Sequence, residues 1–232
     1  MGIAFSHLPF YDLCRKLGAI QSPLFVLGSQ EIHEPEEKIR EFALRSGCVG
    51  LARDLSVRSL FRERYSVTDY CDCDLNNRAD LALDFGKPLP AEFARTAMTV
   101  LNSGTIEHIF DVGRAFRNIH ELTCVGGVII HCAPLTWFEH GYFNFNPRLF
   151  SEIADANGYR LLAEGFHCVR DVLGGETKPA LYITFDGLAV TPLRERIFAL
   201  LKESVTVSNV LYMAAYRKTS LQEFDCPYEI CE

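Results

Sequence analysis

No stretch of eighteen or more apolar residues occurs in the 232-residue chain, and its beginning has no basic segment leading into a hydrophobic run and a small-residue cleavage site. A membrane span and a secretory leader are therefore not expected, and the chain reads as soluble and cytoplasmic. Positive charge is in short supply too: 23 Lys and Arg stand against 30 Asp and Glu, a formal charge of −7. Surfaces that grip phosphate backbones carry a basic face, so neither nucleic acid nor a membrane is an expected partner. The nine cysteines are an odd number without framework spacing, and reduced thiols are expected. Zinc needs three or four converging ligands; Cys71 with Cys73, and Cys226 with Cys231, do not supply them by themselves, so no metal is expected. Internal repeats, low-complexity tracts and a Pro/Gly/Ser-rich linker are lacking as well. One domain over residues 1–232 is the simplest organisation, with 1–21 as an N-terminal helical segment and 168–208 as an elaboration before the last strand.

What is present is apolar material, 48% of the residues, arranged in alternating periods. The spacing predicts a helix over Phe5 to Leu17, then a buried strand LFVLG that ends at Gly28. Pro35 opens a charged helix that stops near Gly47, where SGCVG breaks the pattern, and a further helix covers Val57 to Glu63. Strands are expected from Ser66 to Asp72, from Ala79 to Asp84, and in TAMTVLNSG to about Asn102. Asp111 caps a helix with Val112, Phe116, Ile119 and Leu122 on its apolar stripe, and Gly126-Gly127 ends it before the strand VIIHC. A helix follows from Pro147 to Ala156, then strands near Tyr159 to Phe166, Ala180 to Phe185 and Val207 to Tyr216, with a helix from Leu193 to Lys202. Strands alternating with helices imply an α/β fold: a doubly wound, Rossmann-like, mostly parallel sheet with helices on both faces and an antiparallel C-terminal strand. Ligands bind such sheets outside the carboxyl ends of the strands. The strand ends LNSG and VIIHC, with Gly28, Asp72 and Asp84, fall on that edge.

Three blocks carry a resemblance. NSGTIEHIFDVGRAFRNIHELTCVGGVIIH is similar to the fourth strand, following helix and fifth strand of class I S-adenosylmethionine-dependent methyltransferases. ADLALDFGKPLP resembles their third strand and acidic adenine loop, and HGYFNFNPRLFSEIADANGYRLL the segment leading to their sixth strand. The likeness covers about residues 22 to 167. At the first motif LFVLGSQEIH places Val26 at the usual acidic position and keeps only Gly28, which resembles a variant, glycine-poor form of that motif.

The resemblance implies S-adenosyl-L-methionine as cofactor. Leu27, Gly28 and Ser29 would line its amino-acid part, with Gln30 or Glu31 facing its charged groups. Asp72 would accept from the ribose hydroxyls, since a carboxylate has two acceptor oxygens and no donor, although Asp69 and Asp74 lie close by. Asp84 and Phe85 would hold the adenine, and Asn102, Ser103 and Gly104 would lie beneath the sulfonium. Asp84 also reads as the start of a turn, and Phe85 as core.

For the methyl acceptor, His140 in the aromatic loop TWFEHGYFNFNP is the first candidate for a base and His108 the second. Glu107, His131 and Tyr142 are near the same edge. Trp137, Tyr142 and Phe145 are expected to contact a small-molecule or glycan-like acceptor, and a homodimer is compatible with the chain. His108 also reads as a loop-shaping residue, His131 as a core histidine and His120 as a surface one. A nicotinamide oxidoreductase would need a GxGxxG turn, and none follows the first strand. A catalytically inactive methyltransferase-like binding or scaffolding module is the alternative that a single glycine leaves open.

Overall fold

A computed structural model describes residues 2–76, 78–137, 139–168, 180–185 and 209–227. The expected helix from Leu193 to Lys202, most of the 168–208 elaboration and Cys231 lie outside the described residues. Ten strands and six α-helices follow in chain order: β1 (Gly2–Ile3), α1 (Leu8–Lys16), β2 (Leu24–Leu27), β3 (Glu31–Ile32), α2 (Glu36–Ser46), α3 (Val49–Asp54), α4 (Val57–Tyr65), β4 (Tyr70–Asp74), β5 (Leu81–Ala82), β6 (Ala97–Ser103), α5 (Val112–Leu122), β7 (Thr123–Thr136), α6 (Pro147–Ala156), β8 (Tyr159–Cys168), β9 (Ala180–Phe185) and β10 (Val210–Lys218). Eight strands form one sheet in the order β5-β4-β2-β6-β7-β10-β8-β9. The first five pair in parallel; β10 runs antiparallel to both β7 and β8, and β9 antiparallel to β8. This is the expected doubly wound, mostly parallel sheet, with two reversed strands at its far end where one was expected.

Alternation of side chains builds a core on each face of the sheet. Leu24 and Val26 of β2 pack with residues of α1 to α4, whereas Phe25 and Leu27 join Phe116 and Ile119 of α5 and Phe150 and Ile153 of α6. The helices begin and end where local chemistry dictates. Pro35 precedes the acidic first turn of α2, and Gly47 ends it at φ +76°, a region that costs glycine little. The Asp111 carboxylate accepts from Arg114 N–H at 3.0 Å to start α5, and Asn146 does the same for Arg148 at the start of α6.

The differences from expectation each have a local cause. Helix α5 ends at Leu122, not at Gly126-Gly127, because Lys218 Nζ donates to the His120 and Thr123 carbonyls at 2.7 and 3.1 Å. The chain enters β7 directly, and the two glycines sit beside a register shift between Ala97 and Thr99, with Gly126 at φ +83°. Strand β4 runs to Asp74, two residues past the expected end, since Ser66 at φ +58° closes α4 and Ser22 Oγ accepts from the backbone N–H groups of Thr68 and Asp69. The expected strand Ala79 to Asp84 is reduced to β5, the Asp84 carboxylate accepting from Gly86 N–H in a turn. Within SGCVG the break is immediately followed by a short helix, α3. His120 is buried rather than on the surface: the tail crosses α5, and the ring bonds Tyr159 Oη and the Gln222 carbonyl.

Four histidines are buried in this way. Burial first of all lowers His7 and His131 to about 3, and His120 and His167 to about 4. In the unfolded chain they titrate near the ordinary value of about 6.5. The unfolded state therefore binds more protons over the interval between, so their contribution is complete above about pH 6.5 and is lost as pH falls toward 4. Each such proton corresponds to about 1.4 kcal/mol per pH unit. Urea midpoints measured from pH 7 to 4.5 should fall steeply, and less steeply in His131→Asn; an equal slope in that variant would remove His131 from the account.

Candidate functional site

The chain runs outward from β2 through β4 to β5, then returns to the other side of β2 as β6. A sheet that reverses direction in this way leaves a crevice outside the carboxyl ends of the two strands at the reversal, here β2 and β6. At the end of β2, Gly28 adopts φ +72° and its N–H donates to the Cys73 carbonyl at 2.8 Å. Only a residue without Cβ takes that conformation cheaply, which is why the single glycine of the first motif sits there. Ser29 N–H donates to Asp74 Oδ2 at 2.8 Å, and Asn76 Nδ2 bridges that oxygen and Ser29 Oγ. Burial opposes ionisation of Asp74, but the backbone N–H groups of Ser29, Leu75 and Asn76 and the Ser29 hydroxyl hold its carboxyl below the usual carboxylate range.

The carboxylate beside the glycine turn is thus Asp74. Asp72, two residues earlier, is engaged elsewhere: Tyr70 Oη donates to its Oδ1 at 2.9 Å, and Arg58 reaches both its Oδ2 and Asp80. Burial raises its carboxyl. Gln30 folds back so that Nε2 donates to the Leu27 carbonyl at 2.9 Å, and Thr105 Oγ1 donates to the same oxygen at 2.7 Å. Gln30 Oε1 is left buried with no partner. Glu31 is exposed in β3, alongside β1.

Across the crevice, β6 ends in the buried Asn102 and Ser103, and Gly104 turns away at φ +70°. Asn102 Oδ1 accepts from Ile106 N–H and its Nδ2 reaches His131 Nδ1, each at 3.2 Å. With Nδ1 accepting from that amide, the neutral ring carries its one proton on Nε2, and the ring packs against Phe116 and Phe150. His131 is therefore a core residue, the blander of its two sequence readings. Asp84 makes the turn described above, with Lys87 Nζ 3.4 Å from its Oδ2. The Phe85 ring is core and its carbonyl accepts from Asn118 Nδ2, which takes it out of the set of free ring faces.

Beyond Gly104 a single turn of 3-10 helix, Ile106–His108, carries Glu107 and His108, and the loop after β7 brings His140 against them. His140 Nε2 is 3.5 Å from Glu107 Oε1, and the His108 and His140 rings are 5.0 Å apart, edge on. The loop is fastened there: Tyr142 N–H donates to the Glu107 carbonyl at 2.8 Å, and a Cβ on Gly141 would come within 2.9 Å of Glu107 Cγ. Trp137 also packs on His140, at 4.7 Å between ring centroids and a tilt of 31°. Tyr142 is 70% exposed and meets the still more exposed Phe110 edge to face. Phe145 is buried against Phe116 and Phe150, so it supports the loop from within instead of lining a surface.

Sequence reasoning named Glu107 only among several bases and missed Thr105. Nothing in the string IEH tells that the carboxylate is 0% exposed, without a hydrogen-bond partner on either oxygen. Burial raises its pKa to about 7, while His108 and His140 are lowered, also by burial first. Near neutral pH the site therefore holds two unprotonated imidazoles beside a carboxyl close to its midpoint.

No family model and no curated protein matches the chain. Among solved structures it is similar to a SAM-dependent methyltransferase from Archaeoglobus fulgidus, at 12% identity and a TM-score of 0.47 over 90% of this chain and 94% of that one. The phosphoethanolamine N-methyltransferase 2 of Haemonchus contortus aligns at 12% identity and 0.45, over 92% of this chain and 53% of that one. The 1,6-didemethyltoxoflavin-N1-methyltransferase of Burkholderia thailandensis gives 12% and 0.38, over 90% and 76%. These are likenesses of fold, and the substrates they name belong to those proteins.

Glu107 has a testable signature. Its folded pKa of about 7 exceeds the unfolded value of 4.5, so the folded state binds the extra proton in that interval and loses stability as pH rises through it. Chelator-treated Glu107→Gln should match the parent in melting temperature near pH 4.5 and exceed it increasingly toward pH 8. A constant difference across that range would mean that the carboxyl titrates normally.

Proposed function

We propose that the chain is an S-adenosylmethionine-dependent methyltransferase that moves a methyl group to an O or N atom of a small organic or glycan-like acceptor. The observation that carries this reading is the convergence of the Gly28 turn, the Asp74 carboxylate and the buried Gln30 Oε1 at the reversal of the sheet, next to an acceptor-side cluster of Glu107, His108 and His140. The groups present suit the cofactor. Gln30 Oε1 is an orphaned acceptor of the kind that an ammonium satisfies, and burial without a partner otherwise costs about 1–3 kcal/mol. Asp74 offers carboxylate lone pairs at the strand tip for the ribose hydroxyls, and Gly28 lets the backbone approach closely. Asp84, with Oδ2 toward Lys87, is assigned to the exocyclic amine of adenine, and Ser103 with Gly104 to the floor beneath the sulfonium.

The cofactor supplies an electrophilic methyl group, which leaves the protein to orient the reactants and exclude water. His140, neutral near pH 7 because burial lowers it, takes the proton of an O–H or N–H acceptor, and Glu107 at 3.5 Å steadies the resulting imidazolium. His108, edge on to His140, keeps the ring in place. Trp137 and Tyr142 supply the apolar walls that an organic acceptor needs. The second reading, an inactive binding module, is favoured by one feature: Gln30 and Thr105 side chains already satisfy the Leu27 carbonyl within the crevice.

Saturating S-adenosylhomocysteine should raise the melting temperature while NADH leaves it unchanged, because a ligand of the native state stabilises by mass action. Asp74→Ala should weaken that binding about ten- to a hundredfold, the equivalent of one lost charge-assisted hydrogen bond of about 1.5–3 kcal/mol. Asp72→Ala should lower stability through the Arg58 network and leave affinity within about threefold. Absence of any shift, repeated by calorimetry, would select the inactive module, and a larger loss from Asp72→Ala would reverse the assignment of the two carboxylates.

A further inference from the structure

Glu107, His108 and His140 are three ligand-type side chains whose donor atoms all lie within 4.8 Å of one another. Two come from one 3-10 turn and the third from a loop that packs directly on that turn, with the Tyr142 N–H to Glu107 carbonyl bond and the close approach of Gly141 as fastenings. The shape of the cluster therefore does not depend on long side chains meeting by chance. Glu107 is the independent sign that a group is called for. Its side chain is fully buried, neither oxygen accepts a hydrogen bond, and its ion-pair contact among the described residues is a long one, His140 Nε2 at 3.5 Å. A buried carboxylate is stable when it is paired, hydrogen-bonded or bound to a metal, and here the first two are missing in strength.

We propose that Glu107, His108 and His140 together bind one divalent first-row transition ion, zinc or a close relative. Two imidazoles and one carboxylate form the mixed nitrogen and oxygen donor set that such ions take, and it is too poor in oxygen to favour magnesium or calcium. Three protein ligands leave coordination positions open, as in catalytic rather than structural sites, so water or an oxygen of a small-molecule acceptor completes the shell. Trp137, packed at a tilt on His140, steadies that ring in the cluster. No cysteine among the described residues belongs to this group. Cys71 and Cys73 have their sulfurs 4.0 Å apart on β4. Metal binding itself stands apart from methyl transfer. Only the use of the ion to hold the acceptor rests on the function proposed above, and with the ion bound it would raise the acidity of the acceptor in place of the free His140 imidazole.

The experiment uses the full chain, stripped with chelator and titrated calorimetrically with zinc chloride in the absence of any nucleoside. One equivalent per chain is expected. Cobalt chloride should give visible ligand-field bands without a near-ultraviolet sulfur-to-metal charge-transfer band, which separates this site from the thiols. His140→Ala and Glu107→Gln should each weaken zinc by about a hundredfold or more. His140 is on a loop held by its backbone, so its variant keeps the fold, and equal melting temperatures of stripped parent and variant verify that; His140→Gln serves where Glu107→Gln does not fold. Unchanged zinc affinity in His140→Ala, a thiolate band with cobalt, or no heat of binding would each overturn the proposal. S-adenosylhomocysteine binding is measured separately on the stripped protein: a ligand shift without zinc binding sinks the metal site alone, and zinc binding without a ligand shift sinks the methyltransferase reading alone.

Discussion

Strand β2 has neighbours on both edges and helices over both faces, and its four residues, Leu24 to Leu27, are all buried. A strand so enclosed has no water to satisfy it, so everything polar must be resolved at its carboxyl end, where the chain leaves the sheet. This constraint sets the chemistry of the crevice. The Leu27 carbonyl takes two side-chain donors, Gly28 takes a positive φ and bonds the neighbouring strand, and Ser29 finds the Asp74 carboxylate. Each contact fixes a group that a ligand would meet. The order of the strands adds the rest, since the reversal at β2 and β6 keeps helices from closing over this end.

Much of this was legible in the sequence, because the signals were local. Helix α6 occupies Pro147–Ala156 as expected, since Pro at the first position and an Asn cap act over two or three residues. Asp111 capped α5, and Gly47 stopped α2, for the same reason. His108 and His140 were both expected near the carboxyl edge of the sheet, where their rings lie 5.0 Å apart, because both follow strands whose topology follows from alternation. What could not be read depends on partners far away in the chain. The end of α5 is decided by Lys218, some hundred residues later, and the burial of His120 by the tail around Gln222.

The carboxylate beside the Gly28 turn illustrates the intermediate case. Asp69, Asp72 and Asp74 are alike in the sequence, and the two-residue spacing of Asp72 and Asp74 puts that pair on one side of an extended chain. Only the Ser22 contacts, which hold residues 68 and 69 outside the strand, and Arg58, which occupies Asp72, single out Asp74. Phe85 and Phe145 teach the same lesson for aromatics. Both were credible ligand walls by composition, and both face inward because helix α5 presents Phe116 and Asn118 to them.

Glu107 is a residue on which the fold works against its own stability, with both carboxylate oxygens buried and without a hydrogen-bond partner. Nothing about the 3-10 turn requires a carboxylate, and a glutamine of the same shape would lie there without the desolvation that lifts its pKa to about 7. Satisfied cores place polar groups as Asn102 is placed, with its amide oxygen bonded to Ile106 N–H and its nitrogen to His131 Nδ1. Glu107 breaks that rule a few residues away, beside two imidazoles and under a loop whose glycine cannot carry a side chain without striking it. When local and global preferences agree over most of a chain, the place where they disagree is where function has been built in. Within the crevice the disagreement is greatest at Glu107, where both carboxylate oxygens lack a partner. The Gly28 side, by contrast, is nearly satisfied, with one glutamine oxygen unpaired. The end of the sheet is thus divided between a turn that is already formed and a buried carboxylate that still lacks a partner.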